Sequence, residues 1–436
     1  MKSASIPLFV FIIPFLLTVT SLAGEKNDNG TADTQALVKP KLPQRTITVG
    51  GENADIAGFT SRSVQIAVDA LTPYGGGTVL LNPGTYQISA PVELSDNMSL
   101  QGSGPTSVLR KTDGVKSRMA MDADYGELLL TLEDASGFKA GMGIEIHDDD
   151  QKSGFAVTTA KITDIVGNVI YIDNYLLHDY RADRGGMVTS SASVISAVSA
   201  SNIHIANLTV DGNKAKNEFL GGCRGGGIYL HKVKSAIVEN VIVRDFNGDG
   251  ISWQITEDVT VRNSDVSGCT GAGLHPGAGS PRSTITNNIS HNNDLDGLFI
   301  CWRVQNGRVA ENKFINNGRY GLCTGHKDTD MLFEENLIKD NGSDGIHLRG
   351  EQESNAPHRN TFRKNIIEDN GRNGGGYGLS INSPARDLRL IDNVVRDTGS
   401  GTQKAAVYVF KQGLPATLED NKISGHEHGE VQFEQK

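Results

Sequence analysis

The sequence predicts an all-β solenoid: a single-stranded parallel β-helix with a capping helix at its N-terminal end and a small β-rich insertion. Three observations predict it. First, a glycine followed by Ile or Leu returns at Gly227-Ile228, Gly250-Ile251, Gly273-Leu274, Gly297-Leu298, Gly321-Leu322 and Gly345-Ile346, at intervals of 23 or 24 residues. A period in that range marks a chain built of stacked coils. Second, Asn240, Asn263, Asn288, Asn312 and Asn336 each stand nine or ten residues ahead of one of those glycines, so two unrelated signals keep one register. Third, stretches such as 235–244 and 258–266 alternate apolar with polar residues, are rich in Val, Ile and Thr, and hold no helical stripe. Three short strands per turn would put the Val, Ile and Leu side chains inside. The asparagine row reads as structural, hydrogen-bonding along the stack.

Taken in order, Lys2, the apolar run 6–17 and the small-residue site Ser21-Leu22-Ala23 have the three regions of a secretory signal, with cleavage expected after Ala23. The run is short for a membrane span and is broken by Pro7 and Pro14, so the mature chain is expected to be secreted or periplasmic without stable membrane insertion. Residues 24–45 are polar and aperiodic and read as a flexible linker, which leaves 46–436 as the solenoid domain. Within it, 61–71 places Val64, Val68 and Leu71 on one face after Thr60 as N-cap, a helix suited to cover the open end of the stack. Between about 119 and 195 the repeat is interrupted by strand-like stretches at 128–132, 143–146, 158–165 and 168–172, which predicts the β-rich insertion. Its Asp148-Asp149-Asp150 run has calcium-ligand chemistry but no surrounding ligand motif, and reads as a solvated loop. No motif assigns a metal or cofactor.

A formal net charge of −10 without any basic stripe argues against a nucleic-acid partner. The four cysteines of a chain expected to be exported invite a disulfide reading, but their register argues against it. Cys223 and Cys269 fall two coils apart, beyond disulfide reach at about 4.8 Å per coil, and Cys301 and Cys323 sit at different places in their repeats. Free thiols are expected.

The opening coils 75–104, with Gly75-Gly76-Gly77-Thr78-Val79, Asn82-Pro83-Gly84-Thr85-Tyr86 and Gln101-Gly102-Ser103-Gly104, resemble the start of the pectin-lyase-like right-handed β-helix superfamily, and the later repeats resemble its coils. The resemblance covers most of the chain beyond Thr46. It implies a right-handed coil and a carbohydrate-active protein, often one acting on polyuronates, without naming a reaction. Asp249 before Gly250 resembles part of a polygalacturonase motif, yet the paired aspartates and the later Arg-Ile-Lys string have no counterpart. The Asp-Pro-His string of mannuronan epimerases is absent too, and Leu274-His275-Pro276 is only superficially similar.

If the first and third residues after each glycine point inward, the second and fourth point out on the same strand. The second position gives Tyr229, Ser252, His275, Phe299, Cys323 and His347; the fourth gives His231, Gln254, Gly277, Cys301, Gly325 and Arg349. Where the strands turn come Trp302-Arg303, His326-Lys327-Asp328, Asp330 and Glu351. From His275 to His347 the column spans about 14 Å, the length of roughly three sugar units. The expected partner is therefore a polysaccharide, an acidic one by the resemblance. His275, Arg303, His326, Lys327 and Arg349 are the candidate catalytic residues, the arginines to neutralise a uronate and the others to move protons. Asp249, Asp328, Asp330 and Glu351 are the candidate acid or base carboxylates, and Tyr229, His231, Gln254, Phe299, Trp302 and His347 the candidate sugar contacts. Three readings follow: a polysaccharide lyase or C5-epimerase working by proton abstraction, a glycoside hydrolase using two carboxylates, or a non-catalytic glycan-binding or envelope protein. The first leads.

Overall fold

The computed structural model describes residues 45–434. The expected signal segment and all of the expected linker but Arg45 lie outside the described residues.

Each repeat glycine stands where the corner of one coil presses on the next. A Cβ on Gly250 would lie 2.3 Å from Val266 Cγ1 and 2.7 Å from the Gly273 carbonyl oxygen, and one on Gly321 would lie 2.4 Å from Ile338 Cγ2 and 2.7 Å from the Gly345 carbonyl oxygen. No side chain fits there, so the periodic glycine is a steric requirement of stacking. The residue after it, from Ile228 through Ile346, is fully buried and pairs with its counterpart one coil away. One coil thus consists of Ile251–Gln254, Glu257–Arg262 and Asp265–Ser267, and the next of Leu274–Gly277, Thr284–Thr286 and Ile289–His291. Repetition builds three parallel sheets of 13, 11 and 11 strands around one continuous apolar core.

The first coils carry the helix Ser61–Leu71. Thr60 accepts from the Ser63 backbone N–H and Ser63 answers with its hydroxyl, a reciprocal cap that fixes the helix start. Val64, Ala67, Val68 and Leu71 face inward and join the solenoid core, as expected of a helix that covers otherwise bare apolar surface.

The insertion is a six-stranded antiparallel sheet with its own core, including Ile144, Ile146, Ile170, Tyr180 and Val188. It begins at Lys116–Arg118, which pairs with Met187–Thr189, and so lies slightly earlier than expected, because Ile195–Val198 is already a strand of the coil. The stack closes beneath it without a gap: Val92 pairs with Ile195, Leu100 with Ile205 and Leu109 with Val210. Asp148 is buried, accepts from the backbone N–H groups of Asp150, Gln151 and Arg181, and pairs with Arg184 at 2.9 Å. Its oxygens serve the turn, and no cluster of metal-ligating side chains occurs among the described residues.

The asparagine row proves to be two rows. Asn288, Asn312, Asn336, Asn365, Asn393 and Asn421 form a buried ladder in which each side-chain oxygen accepts both the backbone and side-chain N–H of the preceding asparagine. Asn240 and Asn263 belong elsewhere, in the outer column with Asn207 and Asn287, at φ values of 52 to 57°. That column uses asparagine's tolerance of the left-handed region at a sharp bend. The interval of nine residues to the glycine marks the ladder and the interval of ten marks the bend. A second buried ladder, Asn293, Asn317, Asn341, Asn370 and Gln403, runs along the next corner.

Candidate functional site

The strands that follow the repeat glycines present one outward column, but the expectation that it faces solvent throughout is corrected. Ser252, Gln254, His275 and Cys323 are buried, because loops and neighbouring rings cover them, while Phe299, His347 and Arg349 remain half-buried. Trp253, between two outward residues, points into the core and donates its indole N–H to Ser283.

In the middle of the column lies Phe299, with two guanidiniums close to its ring. Arg349 stands 4.8 Å and Arg319 5.9 Å from the ring centroid. Arg319 is held by a two-point pair with buried Asp296, Nε to Oδ1 at 2.8 Å and Nη2 to Oδ2 at 2.6 Å. Arg349 donates to the Ile300 carbonyl at 2.8 Å and approaches Asp328 at 3.4 Å. Burial pushes the Asp328 carboxyl up against the pull of Arg349, and its oxygens are taken by the Val304 and Gly325 backbone N–H groups. Asp328 therefore holds a turn and a cation rather than facing a substrate. Next to Arg319, Tyr320 stacks on His347, with centroids 4.3 Å apart and planes 2° apart. His347 Nδ1 lies 2.7 Å from Ser380 Oγ and 3.1 Å from Asp344, and Ser380 donates to the same carboxylate at 2.6 Å. Those acceptors put the proton on Nδ1 and leave the Nε2 lone pair free. Burial pushes the Tyr320 phenol up to about 12, so it carries its proton at neutral pH.

On the other side of Phe299, His275 meets the ring edge-on at 5.0 Å. Its Nδ1 donates to Asp249 Oδ2 at 2.5 Å, and Asp249 Oδ1 accepts the Ala272 N–H at 2.8 Å. Gly222 and Gly271 make room for this carboxylate: a Cβ on either would lie 1.7 or 1.9 Å from one of its oxygens. Gly222 belongs to a glycine-rich loop drawn over the pair. The Gly222 carbonyl accepts from Ser252 Oγ at 2.6 Å, the Cys223 carbonyl accepts from Tyr229 at 2.8 Å, and Arg224 donates to the Phe155 carbonyl of the insertion at 2.6 Å. Burial opposes a charge on His275, but the Asp249 carboxylate outweighs it and raises the ring to about 9. A folded-state value above the ordinary 6.5 means that this pair contributes stability fully below pH 6.5 and loses it as the pH rises through about 9. Unfolding by urea should show a loss on the order of 3 kcal/mol across that window. A flat profile would show that Asp249 and His275 are not an ion pair.

The remaining predicted residues lie on the rim or the lower coils. Trp302 is half exposed and stacks on His326 at 4.7 Å, and His326 Nδ1 lies 3.2 Å from Glu351. Arg303 and Lys327 are exposed on left-handed bends, φ 63° and 56°. Asp330 faces away from the column, in a two-point pair with Arg359 at 2.7 Å. Tyr229 and His231 stack at 6.1 Å below the dyad, and burial lowers His231 to about 4. Gln254 Nε2 donates to Ser252 Oγ at 3.2 Å and to the Gly222 carbonyl at 3.3 Å, which makes it a loop anchor. The fold therefore brings together His275, Phe299, Arg349 and His347, and adds Arg319, Tyr320, Asp344 and Ser380. Half of the added set, Tyr320 and Asp344, was legible in one place. Asp249, Asp296, Tyr320 and Asp344 each stand directly before a repeat glycine, where the chain enters the outward column.

A model described as "Right handed beta helix region" matches residues 193–362. The fold is that of a right-handed parallel β-helix. Two solved structures extend that likeness beyond the matched coils. The A-module of the mannuronan C-5 epimerase AlgE4 of Azotobacter vinelandii is 17% identical with a TM-score of 0.58, covering 86% of this chain and 93% of that one. The polygalacturonase of Erwinia carotovora ssp. carotovora is 14% identical with a TM-score of 0.55, covering 93% and 98%. Among curated sequences, the mannuronan C5-epimerase AlgE3 of Azotobacter vinelandii is 24% identical over 303 residues, 68% of this chain. The match spans only 12% of that relative's own length.

Proposed function

We propose that this β-helix acts on a polyuronate by abstracting the C5 proton, as a C5-epimerase or a lyase. The observation that carries the reading is the pair of guanidiniums, Arg319 and Arg349, both within 6 Å of the Phe299 ring, with the stacked Tyr320 and His347 rings next to Arg319. A uronate carboxylate held by the arginines loses its repulsion toward a new negative charge, which makes the adjacent C5 proton acidic. His347 Nε2, freed by the hold on Nδ1, is the base. Tyr320 is the proton donor. Returned to C5 on the opposite face, its proton completes an epimerisation; given to the O4 leaving oxygen while the C4–O4 bond breaks, it completes an elimination. The names of the curated relatives favour the first outcome and mannuronan as the first substrate to try.

Hydrolysis by two carboxylates is less well supported. Asp249, Asp296, Asp328, Asp344 and Glu351 each face a histidine or arginine within 3.4 Å, so each is spent on positioning a cation. The apolar run 6–17 fits an exported enzyme and is part of the same reading.

The test is incubation with polymannuronate, polyguluronate and polygalacturonate in deuterated water. Deuterium at C5 with a changed epimer ratio supports epimerisation, and ultraviolet absorbance from an unsaturated uronide supports elimination. Unchanged polymers, with neither label nor absorbance, would overturn proton abstraction on these substrates.

A further inference from the structure

The proton-transfer scheme uses the outward column only as far as the coil of His347, yet the column carries further rings beyond it. In register, His347 pairs with Ser380 on the next coil, and Ser380 pairs with Tyr408 on the one after. Tyr408 stacks on Tyr377 with centroids 4.1 Å apart and planes 12° apart, and Phe410 meets Tyr408 edge-on at 4.8 Å. All three rings are half-buried. Stacking explains how the tyrosines meet. A residue directly before one repeat position reaches the second residue after the next, as Asp249 reaches His275, Tyr320 reaches His347 and Asp344 reaches Ser380. Tyr377 and Tyr408 repeat that geometry with two aromatic rings and no ion pair. Burial pushes the Tyr377 phenol up to about 12, so it keeps its proton as a hydrogen-bond donor. In the opposite direction the column is covered: Tyr229, Ser252, Gln254 and His275 are buried, and the loop of Gly222 and Arg224 is tied to Ser252, Tyr229 and Phe155. A chain whose reacting unit lies at Arg319 and Arg349 therefore finds open rings one way and a covered surface the other.

We propose that Tyr377, Tyr408 and Phe410 form a stacking subsite for the sugar unit two along the same chain from the one that reacts, so that the polymer is gripped toward the C-terminal coils; this rests on the polyuronate reading. The spacing fits. Two coils of about 4.8 Å separate Tyr408 from His347, about 10 Å in all and the length of roughly two sugar units. The chemistry fits as well. A pyranose presents a face of C–H groups that packs on an aromatic ring, while phenol hydroxyls bond to its hydroxyls. Such a subsite acts on the ring of its sugar and takes no part in the proton transfer, so it sets how long a chain must be to bind well.

The experiment is titration calorimetry of the full chain with mannuronate oligomers from the dimer to the hexamer, repeated on Tyr408→Ala, Phe410→Ala and Tyr408→Phe. For the unaltered chain, affinity should rise about tenfold once the oligomer is long enough to span both places, about three units. Each alanine variant should lose most of that rise, weakening the hexamer about tenfold and the dimer little, whereas Tyr408→Phe keeps the stack and should retain it. A folded alanine variant that binds the hexamer like the unaltered chain would overturn the proposal. So would equal weakening at every length, which marks a purely structural role, or an unaltered chain that binds none of the oligomers. If circular dichroism shows that Tyr408→Ala does not fold, Phe410→Ala decides. Binding is read here without turnover, so the two readings fail separately. Oligomers that bind with this length dependence but gain no deuterium at C5 would leave the subsite standing and remove the proton abstraction.

Discussion

Replacing Asn336 by leucine should destabilise the β-helix by about 3 to 5 kcal/mol, the scale of a buried polar network broken in its middle. Asn336 is 1% exposed. Its oxygen accepts the Asn312 backbone N–H and side-chain N–H, both at 3.0 Å, and its nitrogen donates to the Val309 carbonyl and to Asn365, both at 2.9 Å. Leucine fills a similar volume, so the effect isolates the hydrogen bonds. The Asn312 side chain keeps the Ile285 and Ala310 carbonyls, but its backbone N–H is left buried without an acceptor. Denaturant unfolding measures the change, with Lys313→Ala, an exposed strand position one residue past the ladder, expected within about 0.5 kcal/mol of the parent. A leucine variant that loses less than about 1 kcal/mol would show that the core, and not the ladder, sets the stability of these coils.

That ladder shows what a sequence of this kind makes legible. A coil corner repeats the same steric and hydrogen-bonding problem every 23 or 24 residues, so glycine and asparagine answer it each time and announce the fold by recurrence. The capping helix and most insertion strands followed instead from local pattern, a helical stripe after an N-cap and short apolar alternation. The confusion of Asn240 and Asn263 with the ladder came from two adjacent columns using one residue type for different ends, a positive φ outside and an amide bond inside. The outward column is another matter. Stacking asks nothing of its side chains except that they not collide, so no period reports that His275 finds Asp249, or that Arg319 finds Asp296. Partners 23 to 26 residues apart meet because that is one coil. The position before the glycine carried the usable signal, since a carboxylate there recurs at Asp249, Asp296 and Asp344 and each time pairs with a cation or histidine of the column. The loop carrying Gly222 and Arg224 had no such signal. Its cover over His275 depends on contacts with the insertion through Phe155.

His347→Gln is expected to lower turnover on a polyuronate by about 10² to 10⁴ while changing KM little, since a base acts on the proton in flight and contributes little to holding the chain. Glutamine keeps a donor toward Ser380 and Asp344, so the local network and the fold should survive, as a thermal unfolding scan would verify. The arginines should behave differently. Arg319→Ala removes a carboxylate clamp and frees the buried Asp296 carboxylate, so both KM and turnover should worsen, and part of the loss should trace to stability. Tyr320→Phe separates abstraction of the C5 proton from the later proton donation. Without the phenol, His347 can still take the C5 proton, so exchange of that proton with deuterated solvent should persist while net epimerisation or elimination falls. Equal loss of exchange and of product in Tyr320→Phe would move the base from His347 to Tyr320. Full activity in His347→Gln would remove this part of the column from the mechanism and return the search to His275 and His326.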